Sequence, residues 1–144
     1  MPPLRSSNTI KALIKGIKEG VIDAICSDHT PEDIENKKRE FDHAAFGIIN
    51  SQTAFSSAYT ALEKHLDLTS IIELFTNGPA KVLNVELASI EVGNKANITL
   101  FDPSESYQLT KATVHSKSKN SPFFNRKLQG KVIGVINNKK AFMN

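Results

Sequence analysis

The chain lacks the residues that most small catalytic or structural sites are built from. It has a single cysteine, Cys26, in 144 residues. One cysteine excludes an internal disulfide and any cysteine-ligated zinc cluster. Its place in the apolar run Val21-Ile22-Asp23-Ala24-Ile25-Cys26 predicts a buried small hydrophobe rather than a reactive thiol. No apolar stretch approaches the length of a transmembrane helix. The N-terminus lacks the apolar core of a secretory signal. Both absences fit a cytoplasmic protein. Charge of one sign is also scarce, since 18 basic and 15 acidic residues leave a formal charge of only +3. The short clusters Lys37-Lys38-Arg39 and Lys139-Lys140 are not interleaved with aromatics and make no stripe. They read as solvated lysines, which argues against a nucleic-acid binder. Histidine pairs are missing as well. His43, His65 and His115 share no spacing such as HxH or HExxH and read as structural or exposed groups.

What is present is an ordinary globular composition, 40% hydrophobic and 23% charged. The length suits one domain or two small pieces. Two styles of sequence succeed one another. Ile10, Leu13, Ile14 and Ile17 follow the i, i+3, i+4, i+7 spacing and predict a helix over Thr9 to Glu19, capped by Ser7-Asn8 and ended by Gly20. Val21 to Ser27 is short and nearly all apolar, which predicts a strand buried on both faces of a parallel α/β sheet. Glu32 to His43 is polar and reads as a long loop with one helical turn. Helices are expected over Ser51 to Lys64, Ser70 to Phe75 and Pro79 to Leu83, the last with proline in its first turn. From Ile90 onward the pattern turns to strands: Ile90-Glu91-Val92-Gly93, Ala96 to Phe101 ending at Asp102-Pro103, Tyr107 to Leu109, and Lys131 to Ile136. Asn137-Asn138 then turns the chain into a hairpin partner, Lys139 to Met143. The expected division falls between residues 1–88 and 89–144.

The most informative pair is Asp28-His29, at the end of the buried run. In a parallel α/β barrel the C-terminal strand ends line the active site. A carboxylate there can bind a cation or act as a general base on bound water. On pattern alone, an aspartate after a strand can equally be a turn or cap residue. A metal site needs three or four ligands. This chain offers one credible carboxylate, so the others must come from elsewhere.

The residues around that pair resemble a known family. Pro2-Pro3-Leu4-Arg5 followed by Gly20-Val21-Ile22-Asp23-Ala24-Ile25-Cys26-Ser27-Asp28-His29-Thr30-Pro31 is similar to the dihydroorotase signature N-P-P-L-R … G-x-I-D-x-I-x-[ST]-D-H-x-P. Phe46-Gly47-Ile48-Ile49 with Gln52-Thr53-Ala54 resembles F-G-I-x-G-x-E-T-A. Asn77 to Leu83, Gly93 to Asp102, and Ser116 to Phe123 resemble later motifs of that family, in the same order. The resemblance implies the C-terminal third of a zinc-dependent amidohydrolase. Its fold would be α/β, the C-terminal units of a (β/α)8 TIM-type barrel (1–88) followed by a small β-sandwich segment (89–144). It implies the reversible cyclisation of N-carbamoyl-aspartate to dihydroorotate in pyrimidine biosynthesis. Asp28 would be the catalytic residue and metal ligand, and Phe46 and Gly47 would hold the substrate through backbone. Two positions depart from the signature. Met1 stands where it has asparagine, and Glu32 stands where it has a substrate-binding histidine. That acidic residue motivates a second reading, a non-catalytic structural partner of aspartate transcarbamoylase. A hydantoinase- or allantoinase-like cyclic amidase is a third. The isolated chain is expected to be inactive and to form a homo-oligomer.

Overall fold

Five helices come first and a three-stranded antiparallel sheet follows, in a computed structural model that describes residues 5–87 and 89–143. The helices are α1 (Ser7–Lys18), α2 (Ile34–Lys37), α3 (Ala54–Leu62), α4 (Leu68–Glu73) and α5 (Asn77–Leu83). The strands are β1 (Asn97–Gln108), β2 (Lys127–Asn137) and β3 (Lys140–Met143). The expected Met1 and Pro2-Pro3-Leu4 features lie outside the described residues.

Helix α1 forms where the apolar spacing predicts it. Its cap is Ser6 rather than Ser7-Asn8, with Oγ accepting from the Thr9 amide. Its half-buried Ile14 and Ile17 pack on the main core of Leu62, Ile71 and Leu74. Ile71 is fully buried there. Asp67 caps α4 by accepting from Ser70 N at 2.9 Å. Asn84, in the left-handed region at φ 52°, ends α5.

The predicted strand Val21 to Ser27 does not form among the described residues. A parallel strand needs ladder partners on its flanks, and here the backbone finds other ones. Ile25 N donates to the Leu74 carbonyl at the end of α4. The Asp23 carbonyl lies so close to Gly78 that a Cβ there would sit 1.7 Å from it. Cys26 is therefore exposed, not buried. Ile90 to Gly93 likewise has no strand partner among the described residues and leads into a turn, with Ile90 and Val92 exposed.

Strand β1 runs straight through Asp102-Pro103, where the sequence suggests an end. The ladder with β2 shifts register between Asp102 and Ser106. Gln129 Nε2 fills the gap by donating to the Pro103 and Ser104 carbonyls at 3.0 and 2.7 Å. Proline is tolerated because β1 is an edge strand.

Helix α3 lies on β2. Ser56 Oγ donates to the Gly130 carbonyl at 2.6 Å, Thr60 Oγ1 accepts from Gln129 N at 2.8 Å, and Phe55 packs edge-on to Phe101. Gly130 is at φ 82°, and a Cβ there would press Tyr59 and Phe55. The helical and β halves are thereby held together. Among the described residues no helix is long and apolar enough to cross a membrane.

Candidate functional site

Asp28 sits at the end of the extended segment in the left-handed region, at φ 44°. That conformation costs a non-glycine residue energy and recurs at functional positions. The turn is closed by Thr30, whose Oγ1 donates to the Asp28 carbonyl at 3.0 Å and lies 3.5 Å from its Oδ1. The Asp28 side chain is exposed. Its carboxylate is held by little else among the described residues.

The neighbouring segment is Ala45 to Ser51. His29 and Ile48 form a parallel bridge, with Thr30 N donating to the Ile48 carbonyl at 2.9 Å. His29 Nδ1 accepts from the amides of Asn50 and Ser51 at 3.0 and 3.1 Å. These two donors hold the imidazole against the Asn50-Ser51 backbone. Asn50 Nδ2 completes the seam by donating to the Ser27 carbonyl at 3.2 Å. Beside it lies a pocket of about 250 Å³ lined by His29, Asn50, Ser51, Gln52, His115 and Ser116.

The structure thus brings Asp28 and the Phe46-Gly47 loop into one place. Gly47 has φ 125°, and a Cβ on it would lie 2.6 Å from the Thr30 carbonyl. Only glycine permits the loop to approach the Asp28 turn so closely. Phe46 points outward and is 73% exposed. Glu32 does not stand free: it is half-buried, and its Oε2 accepts from Asn36 Nδ2 at 3.3 Å. Ser116 to Phe123 is an ordered loop beneath the site. Ser118 Oγ donates to the Glu32 carbonyl, and Asn120 joins Gly47 and Ile49. Lys37 and Asn120, which sequence reasoning passed over, both reach the Gly47 carbonyl.

The donor set fits one corner of a metal site. The exposed Asp28 carboxylate is available as a ligand, but among the described residues it belongs to no group of three or more histidine, cysteine or acidic side chains with ligand atoms close together. Glu40, Asp42 and His43 do bring ligand atoms within 4.8 Å of one another. All three are exposed on the loop after α2, and such surface groupings are common without a metal.

Comparison with known proteins places the chain in a family. The profile of the Amidohydrolase family matches residues 2–140. The chain is 38% identical to a dihydroorotase of Chlorobaculum tepidum over 99% of its own length. It is 41% identical to a dihydroorotase of Aquifex aeolicus over 96%. Each alignment covers 33% of the relative, so the chain spans about a third of the length of these curated proteins. In fold it matches the dihydropyrimidinase of Brevibacillus agri NCHU1002 with a TM-score of 0.86, at 24% identity, over 99% of this chain and 33% of that one. A D-hydantoinase structure matches with a TM-score of 0.84 at 23% identity, over 100% of this chain and 33% of that one. The α/β arrangement of helices followed by sheet is therefore one that these larger solved structures contain, and the chain belongs to the amidohydrolase family.

Proposed function

We propose that this chain is the C-terminal part of a dihydroorotase, the enzyme that interconverts N-carbamoyl-aspartate and dihydroorotate in pyrimidine biosynthesis. The observation that carries this reading is the likeness to dihydroorotases over nearly the whole chain. The solved hydantoinases share the fold, but their lower identity says nothing of the substrate. In the longer polypeptide the extended segment before Asp28 would be a strand of a (β/α)8 barrel, and β1 to β3 would be part of a β-sandwich.

Asp28 is the residue of this chain suited to hold a zinc ion. Bound there, the metal would polarise the amide carbonyl and lower the pKa of water. What the chain itself does is narrower. Asp28 accepts and returns a proton at its exposed carboxylate, which the Thr30 turn keeps facing the open side of the seam. Phe46 and Gly47 present backbone to the substrate ring. His29, turned by two amides, braces the seam. The substrate is a small acidic molecule. A cytoplasmic setting suits the exposed, unpaired thiol of Cys26.

In the full-length polypeptide carrying this chain, Asp28→Ala should abolish dihydroorotate hydrolysis while leaving the fold intact. A fully active Asp28→Ala enzyme would overturn the assignment. Glu32 favours a second reading, a non-catalytic partner of aspartate transcarbamoylase. Co-purification with that enzyme, together with no turnover by the wild-type polypeptide, would establish it. Homo-oligomer formation is part of either reading, supported by the apolar residues left exposed on the sheet.

A further inference from the structure

A single carbonyl oxygen ties together the segments around the candidate site. Gly47 O accepts from Asn120 Nδ2 at 2.6 Å and from Lys37 Nζ at 3.1 Å. The same Lys37 ammonium donates to Ala45 O at 2.6 Å, so it spans the loop on both sides of Phe46. Asn120 also accepts from Ile49 N through its own carbonyl at 2.9 Å. It therefore bonds the loop on both sides of Ile48, whose carbonyl accepts from Thr30 N.

Lys37 is half-buried, and among the described residues its hydrogen-bond partners are these backbone carbonyls and no carboxylate. Holding a charge there has a cost that surface stability does not require. Hydrogen bonds from an ionised donor are roughly twice as strong as neutral ones, so the ammonium grips the loop firmly. The Gly47 peptide also packs directly against the Asp28 turn, with the Thr30 carbonyl in the space that a Cβ would take.

We propose that Lys37 and Asn120 are positioning residues: together they clamp the Gly47 carbonyl and set the distance between the Phe46-Gly47 backbone and Asp28. The proposal rests on the dihydroorotase reading for its substrate, though not for its geometry. Neither side chain need touch the substrate. Their action is to fix the peptide plane that does, which is how a binding group is pre-paid before the substrate arrives. The clamp also gives the Ser116–Phe123 loop a role. Asn120 lies 73 residues from Gly47 in sequence, and the loop delivers it to the underside of the site.

The test uses the full-length polypeptide with Lys37→Met, Lys37→Arg and Asn120→Ala. Asn120→Ala removes Nδ2 while leaving the backbone carbonyl that receives Ile49 N. Amide hydrogen exchange of the peptide covering residues 45–49 and steady-state hydrolysis of dihydroorotate are measured on each. Lys37→Met and Asn120→Ala should each speed exchange in that peptide and raise KM about tenfold, with kcat within about threefold. Lys37→Arg, which keeps a charged donor, should recover much of both. Unchanged exchange in 45–49 in both variants overturns the clamp. So does faster exchange with unchanged KM, or a loss of kcat and KM in step with lowered thermal stability and no rescue by arginine. If the wild-type polypeptide does not hydrolyse dihydroorotate, the functional reading fails on its own, and a positioning role in that reaction fails with it. The exchange measurement then still decides whether the clamp exists.

Discussion

Gly47 shows what a single residue contributes here. Its φ of 125° and the 2.6 Å approach of the Thr30 carbonyl leave no room for a side chain. Gly47→Ala should lower stability by about 2–4 kcal/mol, from left-handed strain together with overpacking. Urea unfolding measures it, and a loss under about 0.5 kcal/mol would mean that the loop simply moves aside. Ser56 is a second such position, buried with its hydroxyl on the Gly130 carbonyl and within 3.3 Å of Tyr107 Oη. Ser56→Ala removes the partner of both and should cost about 1–3 kcal/mol by the same measurement. At this scale the site was partly legible. Asp28, Phe46 and Gly47 stand in motifs, and the Gly47 loop lies against the Asp28 turn through the Thr30 carbonyl. Lys37 sits in the charged run Lys37-Lys38-Arg39 and looked merely solvated. Nothing in that run shows that one of its two lysines folds back onto carbonyls eight and ten residues on. Cys26 was misread because its burial depended on strand neighbours that the described residues do not contain.

Among the elements, local signals located helices well and strands less so. Helix α1 carries its own spacing and cap. A strand, by contrast, is defined by what lies beside it. Val21 to Ser27 has the composition of a central strand, yet its amides bond elsewhere, Val21 and Ile22 to the Gly16 carbonyl and Ile25 to Leu74 at the end of α4, and it stays an extended segment. Strand β1 errs the other way. Asp102-Pro103 reads as a stop, but Gln129, far along the chain, bridges the interruption. The α4 cap makes a pH prediction. Ser70 N and then its hydroxyl hold the Asp67 carboxyl below its ordinary value of 3.8. A carboxylate with a lowered folded-state pKa stabilises above its unfolded value and loses that contribution as pH falls through the folded one. The α4 cap should therefore hold at neutral pH and weaken below about pH 4. In Asp67→Asn that part of the acid dependence should disappear. Thermal melts of both proteins from pH 7 to pH 3 check it, and parallel curves would show that the cap carries no charge-dependent stability.

At the scale of the whole molecule, the chain is about a third of the proteins it resembles, and its surface shows the consequence. Val135 and Phe142 are paired across β2 and β3 and share one face of the hairpin. Leu100 and Met143, both aligned with Gly134, lie on the other. All four are exposed, as is the fully solvated Phe41. A sheet with apolar side chains bare on both faces is a surface that seeks cover. In the longer polypeptide we expect further chain to supply it. On its own the 144-residue piece has only a second copy to turn to. Sedimentation velocity across a hundredfold range of concentration should therefore show reversible self-association at about micromolar to tens of micromolar protein. Val135→Thr with Phe142→Ser should shift the equilibrium toward monomer without unfolding the chain, because neither side chain belongs to either buried cluster. A monomer at every concentration would show that these residues tolerate water and that the bare sheet is not what drives assembly. Association that survives the double substitution would move the contact elsewhere, to the exposed apolar face of α1 at Ile10 and Leu13.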